Sequence, residues 1–285
     1  MSTASERAAG TAGRGSAVAP EAPALSPRAA TVRAFLALLE RDAWVTFRRD
    51  LAAFLAQSLM QPLFFLFTFG RVLPEIGAAQ GAYGKQLLPG ILALTLVITA
   101  LQNTSLPLVI EFSFTKEIED RLLAPLPAAL VGLEKIVFAS LRAAVAALLI
   151  LPMAAVVLPG GVDLGSVSWL GFLALLVMGS LAGASLGMVL GTAVPPNRIN
   201  VVFAVFLTPL IFTGATFYPW QALDGLRWFQ VITLINPMTY VSEGMRSALT
   251  DGPTLATGWI ALGIVAATVA FAALGLKGFL RRAVD

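Results

Sequence analysis

The 285 residues contain no cysteine and no histidine. The first absence excludes disulfides and thiol nucleophiles. The second removes imidazole general bases, the HExxH pattern of metalloproteases and any Ser–His dyad. Together they take away the usual side-chain ligation of zinc or haem. Charge is scarce too. Only 12% of the residues are Asp, Glu, Lys or Arg, against about a quarter in soluble domains. Charge that sparse cannot cover a globular surface of this size. No Walker A pattern occurs, which excludes ATP binding of the P-loop kind. Nor do the apolar segments hold the aspartate pair that an intramembrane aspartyl protease requires.

What is present is apolar: 58% of residues are hydrophobic and the mean hydropathy is +0.84. Such a chain is solvated mainly by lipid. Its formal net charge is +3 and its isoelectric point about 9.6, but the basic residues sit between apolar runs instead of forming one stripe. Membrane topology accounts for them; nucleic acid is not a partner.

Residues 1–27 are rich in Ala, Ser, Gly and Pro. They lack the apolar core of a signal peptide and read as a disordered tail. Ser26-Pro27 is a helix start, with serine as N-cap and proline at the first helical position. Val32, Phe35, Leu36, Leu39, Ala43 and Phe47 then recur at helical spacing, with Arg33, Glu40, Arg41 and Arg48 largely on other faces. The pattern predicts an amphipathic helix over 28–50, too charged to span, lying along the cytoplasmic interface.

Six apolar segments fill 51–285: 51–73, 87–110, 130–158, 169–194, 199–218 and 255–280. Each is long enough for a bilayer core, which takes about twenty helical residues. Internal prolines at Pro62, Pro152 and Pro209 are tolerable there. With both termini inside, fifteen of the nineteen basic residues fall on the cytoplasmic side and only Arg71, Lys85, Arg227 and Arg246 on the other. That bias orients the bundle. The broken segment 219–252 is semi-apolar and predicts short helices that dip into the outer leaflet and return. The expected fold is therefore all-α and polytopic, with six transmembrane helices, an interface helix, a cytoplasmic helix between spans 2 and 3, and a re-entrant outer segment between spans 5 and 6.

Three features carry functional expectations. The loop 111–135 holds a short charged helix over 115–123, ended by Ala124-Pro125-Leu126-Pro127, a compact knob at the membrane surface. Gly179, Gly183, Gly187 and Gly191 repeat every four residues, which places them on one helical stripe where another backbone can approach. Packing within the protomer is the favoured use, and a dimer seam the alternative. Glu243 and Arg246, spaced i, i+3, either pair with each other or serve as a gate.

Charged helix, Leu122-Leu123-Ala124-Pro125-Leu126, then Glu134-Lys135 at the entry to a long helix resembles the coupling-helix region of type-2 ABC exporter permeases. Asn236-Pro237-Met238-Thr239-Tyr240, followed by Glu243-Gly244-Met245-Arg246, resembles the same family's N-P-x-x-Y…R pattern. One departure is Glu117-Ile118, where many members have Gly-Thr. The resemblance covers about 26–282. It implies a permease that exports a hydrophobic or amphipathic molecule (drug, antibiotic or lipid-like), with polysaccharide or lipid-linked glycan as the alternative cargo. It also implies pairing with a second permease chain, identical or different, and two copies of a separate ATPase. ATP and Mg would bind in that ATPase and no cofactor in this chain. Thr115, Lys116, Glu117, Glu119, Asp120, Arg121 and Leu122 would contact it. Phe64, Phe67, Phe206 and Phe212, with Glu243 and Arg246, are the candidates for the path or gate. The implied location is the cell inner or plasma membrane, surrounded by lipid, with no catalytic residue in this chain. From other classes, an ion-coupled transporter would need buried carboxylates in its spans, and a membrane enzyme stays open.

Overall fold

The computed structural model describes residues 26–77, 83–116, 118, 121, 126–159, 161–162, 165 and 167–284. Among them every regular element is helical and there is no strand. We number the principal helices α1 (Pro27–Val45), α2 (Leu51–Phe67), α3 (Tyr83–Ile110), α4 (Ala128–Val157), α5 (Trp169–Ala193), α6 (Ile199–Phe212), α7 (Arg227–Thr233), α8 (Pro237–Leu249) and α9 (Thr257–Val284). The tail expected over 1–27 lies almost wholly outside the described residues.

The Ser26 hydroxyl accepts from the Ala29 amide, and Pro27 opens α1. No loop separates α1 from α2. A wide turn over Thr46–Asp50 joins them, and only Asp50 (φ −115°, ψ 8°) leaves helical geometry. The apolar stripe expected on α1 is divided. Phe35 packs inward with Ala34 and Leu38, whereas Val32, Leu36 and Phe47 are exposed.

Among the described residues, five helical stretches are long and apolar enough to cross a membrane: Arg28–Glu75, Gln86–Thr115, Ala128–Val157, Trp169–Ala193 and Thr257–Ala283. With them the chain is a multi-pass membrane protein. The segment expected as the fifth span is a shorter apolar helix, Pro196–Phe212. Its 14-residue α-helical part rises about 21 Å at 1.5 Å per residue. The chain then leaves the helix through Ala215, whose φ of +51° is left-handed and cannot be continued as an α-helix.

α3 is the buried axis, with α2, α4, α5 and α8 packed around it. Lipid tails are as apolar as leucine, so hydrophobicity does not drive helices together in a bilayer; close packing does. The glycine stripe of α5 provides it. A Cβ on Gly183 would stand 2.7 Å from the Val97 carbonyl oxygen, and one on Gly187 would collide with the Leu101 carbonyl oxygen. Gly179 and Gly191 continue the same seam against Leu96 and Ser105. All four glycines are thus occupied by α3 of the same chain. On α3 itself, Thr95, Thr104 and Ser105 donate their hydroxyls to the carbonyls of Ile91, Ala100 and Leu101 at 2.7–2.9 Å, so these polar side chains are satisfied without leaving the helix.

Candidate functional site

Two buried polar assemblies stand at opposite ends of the bundle, the first built on local helix-end rules and the second on charges that the fold brings together. The first begins where α6 stops. The last four carbonyls of any helix lack intrahelical partners, and inside a membrane each stranded group costs several kcal/mol. Here all four are met. Pro209 O accepts from the Thr213 amide at 2.8 Å and its hydroxyl at 2.9 Å. Leu210 O accepts from the Asn236 carboxamide at 2.8 Å, Ile211 O from the Thr216 hydroxyl at 3.2 Å, and Phe212 O from the Tyr218 hydroxyl at 2.6 Å.

The partners that come from a distance lie along one face of α8. Asn236 caps that helix by accepting from the Met238 amide at 2.9 Å. One turn on, the Thr239 hydroxyl reaches the carbonyls of Thr233 (2.6 Å) and Thr213 (3.3 Å). The Ser242 hydroxyl lies within hydrogen-bond reach of the carbonyls of Gly214 and Met238 and shares its one proton between them. Arg246 Nη2 donates to Ala215 O at 3.2 Å and Tyr218 O at 3.4 Å. Residues 236, 239, 242 and 246 recur at three- and four-residue steps, so a single helical stripe meets the irregular chain carbonyl by carbonyl. Tyr240, on a neighbouring face, donates to Leu234 O at 2.7 Å. The turn so held lies against α3, where a Cβ on Gly90 would collide with the Thr216 carbonyl.

Glu243 and Arg246 form an ion pair, with side chains 0% and 5% exposed. The Glu243 carboxylate also accepts from the Trp220 amide and the Leu255 amide, both at 3.0 Å. One carboxylate therefore ties α8 to the short helical turn Trp220–Leu226 and to the approach to α9. Arg246 lines a cavity of about 610 Å³ together with Gln86, Gln221, Asp224 and Thr250.

At the other end, charges gather from four places in the chain. Arg121 Nη2 donates to Asp42 of α1 at 3.0 Å and Arg121 Nη1 stands 3.6 Å from Glu134 of α4. Lys135 Nζ is 2.6 Å from Glu111, just past α3, and 3.8 Å from Asp42. All five side chains are nine-tenths or more buried. Burial works to lower the Arg121 pKa, but the hydrogen bond it donates to Asp42 and the charges of Asp42, Glu111 and Glu134 outweigh it, and the net shift is upward. Alongside, Arg282 of α9 donates to Gly191 O at 3.2 Å and to the Ser113 hydroxyl at 3.1 Å, and its guanidinium lies 5.0 Å from the centre of the Phe112 ring. A cation at the carbonyl end of α5 is favoured by the helix dipole.

The loop residues expected to meet a partner divide between these descriptions. Thr115 ends the wide turn Glu111–Thr115, and Lys116 takes the left-handed conformation (φ +54°) that stops it. Arg121 belongs to the charge network. Glu117, Glu119, Asp120 and Leu122 lie outside the described residues. Of the aromatic candidates, Phe64 and Phe67 are exposed and Phe206 packs beside Leu94, Ile98 and Leu101. Phe212 meets Phe217 at 5.8 Å, and Phe217 in turn meets Phe65 at 5.3 Å and Phe69 at 5.7 Å. Arg142, half-buried on α4, has its guanidinium 4.6 Å from the Phe54 ring centre, a cation–π contact. Sequence reasoning passed over Asp42, Asn236, Thr239 and Ser242 as site residues. The usable signal was polar residues at three-residue steps directly after an Asn-Pro cap.

A family model described as ABC-2 type transporter matches residues 33–250, a range that includes both assemblies except Arg282 and Leu255. No curated protein matches the chain.

Proposed function

The chain belongs to the ABC-2 type transporter family, a family of membrane permeases that work with ABC ATPases, and from that premise we propose that it is the membrane subunit of an ATP-driven exporter. The observation that carries this reading is the buried network of Asp42, Glu111, Arg121, Glu134 and Lys135. It fastens Arg121, in the loop between α3 and α4, to α1 and α4, and through Lys135 ties α4 to the turn that follows α3. A push on a loop rooted in that way moves helices, whereas a loose loop would absorb it.

In this reading two copies of an ATPase subunit, holding ATP and Mg, press on the knob at 115–123. The network end is cytoplasmic, as are both termini, in line with the excess of basic residues there. Pro196–Phe212 completes six spans; its 17 residues are at the short limit of about 17–25 for a crossing helix. A second permease chain faces α2 and α6, whose exposed Phe64, Phe67 and Phe212 would border the path. The cargo is a hydrophobic or amphipathic molecule, because the buried carboxylates Glu111, Glu134 and Glu243 all stand in ion pairs and offer no free charge to a polar solute. The location is the cell inner or plasma membrane.

The test is co-expression with an ABC ATPase subunit, reconstitution into liposomes and measurement of substrate-stimulated hydrolysis. Arg121→Met should weaken co-purification and uncouple hydrolysis from substrate. Unchanged assembly and coupling in that variant would sink the proposal.

A further inference from the structure

Neither polar assembly uses the groove of about 360 Å³ between α5, α8 and α9. The buried Ile260 and Ile264, with Leu175, form its floor, and Ala174 on α5 and Ala261 on α9 also line it. No charged side chain lines it. Its hydroxyls come from Ser168 before α5, Ser247 late in α8 and Thr257 at the start of α9, which the chain order places at one end, remote from the charge network. Trp169 and Trp259 stand at that same end, 49% and 64% exposed. Tryptophans favour the membrane–water boundary. The groove therefore starts at the interface and runs into the bilayer. Between Thr257 and Val265, both in its wall, it extends about 12 Å at 1.5 Å per residue.

We propose that this groove holds one acyl chain of a bilayer phospholipid, with the ester region of that lipid at the Ser168–Ser247–Thr257 end. The groove is continuous with the bilayer-facing surface, where Leu173, Val177 and Leu262 are exposed on the same two helices. Its volume is at the low end of ligand sites, which span about 300–1,000 Å³. That suits a single slim chain. Because burial from lipid brings no hydrophobic gain, the lipid is retained by contact with three helices and by the Ser168 and Thr257 hydroxyls facing its ester oxygens, the Ser247 hydroxyl being donated to Gly244 O at 2.8 Å. The seated chain also braces α8. Gly244 lies behind the floor, where a Cβ would come 3.1 Å from Ile260 Cγ2, so the groove backs directly onto the helix that carries the carbonyl ladder. The inference rests on the chain's place in a membrane and is independent of which cargo it moves.

Native mass spectrometry of the full chain tests it, after reconstitution in phosphatidylethanolamine–phosphatidylglycerol vesicles and graded detergent washing. Wild type should keep one phospholipid per chain. Ala174→Phe/Ala261→Phe, which fills the groove, should weaken lipid binding about tenfold or more, a loss of at least about 1.4 kcal/mol, read as a lower retained fraction. Leu262→Phe, on the lipid face outside the groove, should keep it. Gly171→Leu closes the entrance from one wall and replaces the double variant should that fail to elute as a folded species. Equal retention in filled and wild-type protein overturns the proposal. So does recovery of wild type with detergent alone. Because the readout is lipid mass and not transport, its failure leaves the exporter reading untouched.

Discussion

Truncating Glu243 to alanine removes three hydrogen bonds at once, from the Arg246 guanidinium and from the amides of Trp220 and Leu255. The arginine stays behind, 5% exposed, with its charge uncompensated. Breaking a buried pair from one side costs about 3–5 kcal/mol. Each stranded amide adds about 1–3 kcal/mol unless water reaches it. The loss is thus at least about 5 kcal/mol, comparable with the whole stability of many domains, about 5–15 kcal/mol. Glu243→Gln keeps the shape and one acceptor oxygen but turns an amino group toward one of the two amides, so it should lose a smaller part. Glu243→Gln/Arg246→Met removes the stranded charge, and a double-mutant cycle should return a coupling of about 1–3 kcal/mol. The assay is thermal unfolding of detergent-solubilised protein, followed by size-exclusion chromatography. A Glu243→Ala protein that melts with wild type, and a double variant that is merely additive, would refute the structural role. Wild-type melting with abolished transport would make the pair a gate.

Asn236→Ala loses both the cap of α8 and the donor to Leu210 O, and should cost about 1–3 kcal/mol; Asn236→Asp keeps the cap and should lose less in the same melting assay. Gly187→Ala drives a methyl into the Leu101 carbonyl and should destabilise by about 1–3 kcal/mol or abolish expression, whereas Gly258→Ala, with open space around it, should stay within about 0.5 kcal/mol of wild type. Lys135→Met leaves Glu111 and Asp42 buried without their shared cation and should cost about 3–5 kcal/mol, read as lost monodisperse protein. The Arg121 pKa is raised, so the stability its charge contributes is present at every pH below the ordinary arginine value and lost only as pH climbs through the higher folded value. Melting of Arg121→Met relative to wild type should therefore show no alkaline change between pH 7 and about 10. A difference that shrinks over that range would contradict the assignment.

Apolar length and the scatter of basic residues were enough, by themselves, to place this chain in a membrane, because a helix of about twenty apolar residues meets its own backbone hydrogen bonds inside a bilayer, which taxes every charge within it. Local chemistry was equally legible where partners are close in sequence. Ser26-Pro27 starts α1, Asn236-Pro237 starts α8, and four glycines at four-residue steps share one face. Which surface that face meets was not legible: the seam against α3 depends on the tilt and depth of both helices. The fold also decided where helix α6 ends, since its last four carbonyls are met by Asn236 and three residues of its own turn, two of which only a sharp return brings within reach. Most of all, it decided what the charges do. Asp42, Glu111, Arg121, Glu134 and Lys135 span nearly a hundred positions of chain, and no spacing rule connects them. They became one object because α1, α3 and α4 converge at one end of the bundle, where each buried charge is stable only beside its opposite.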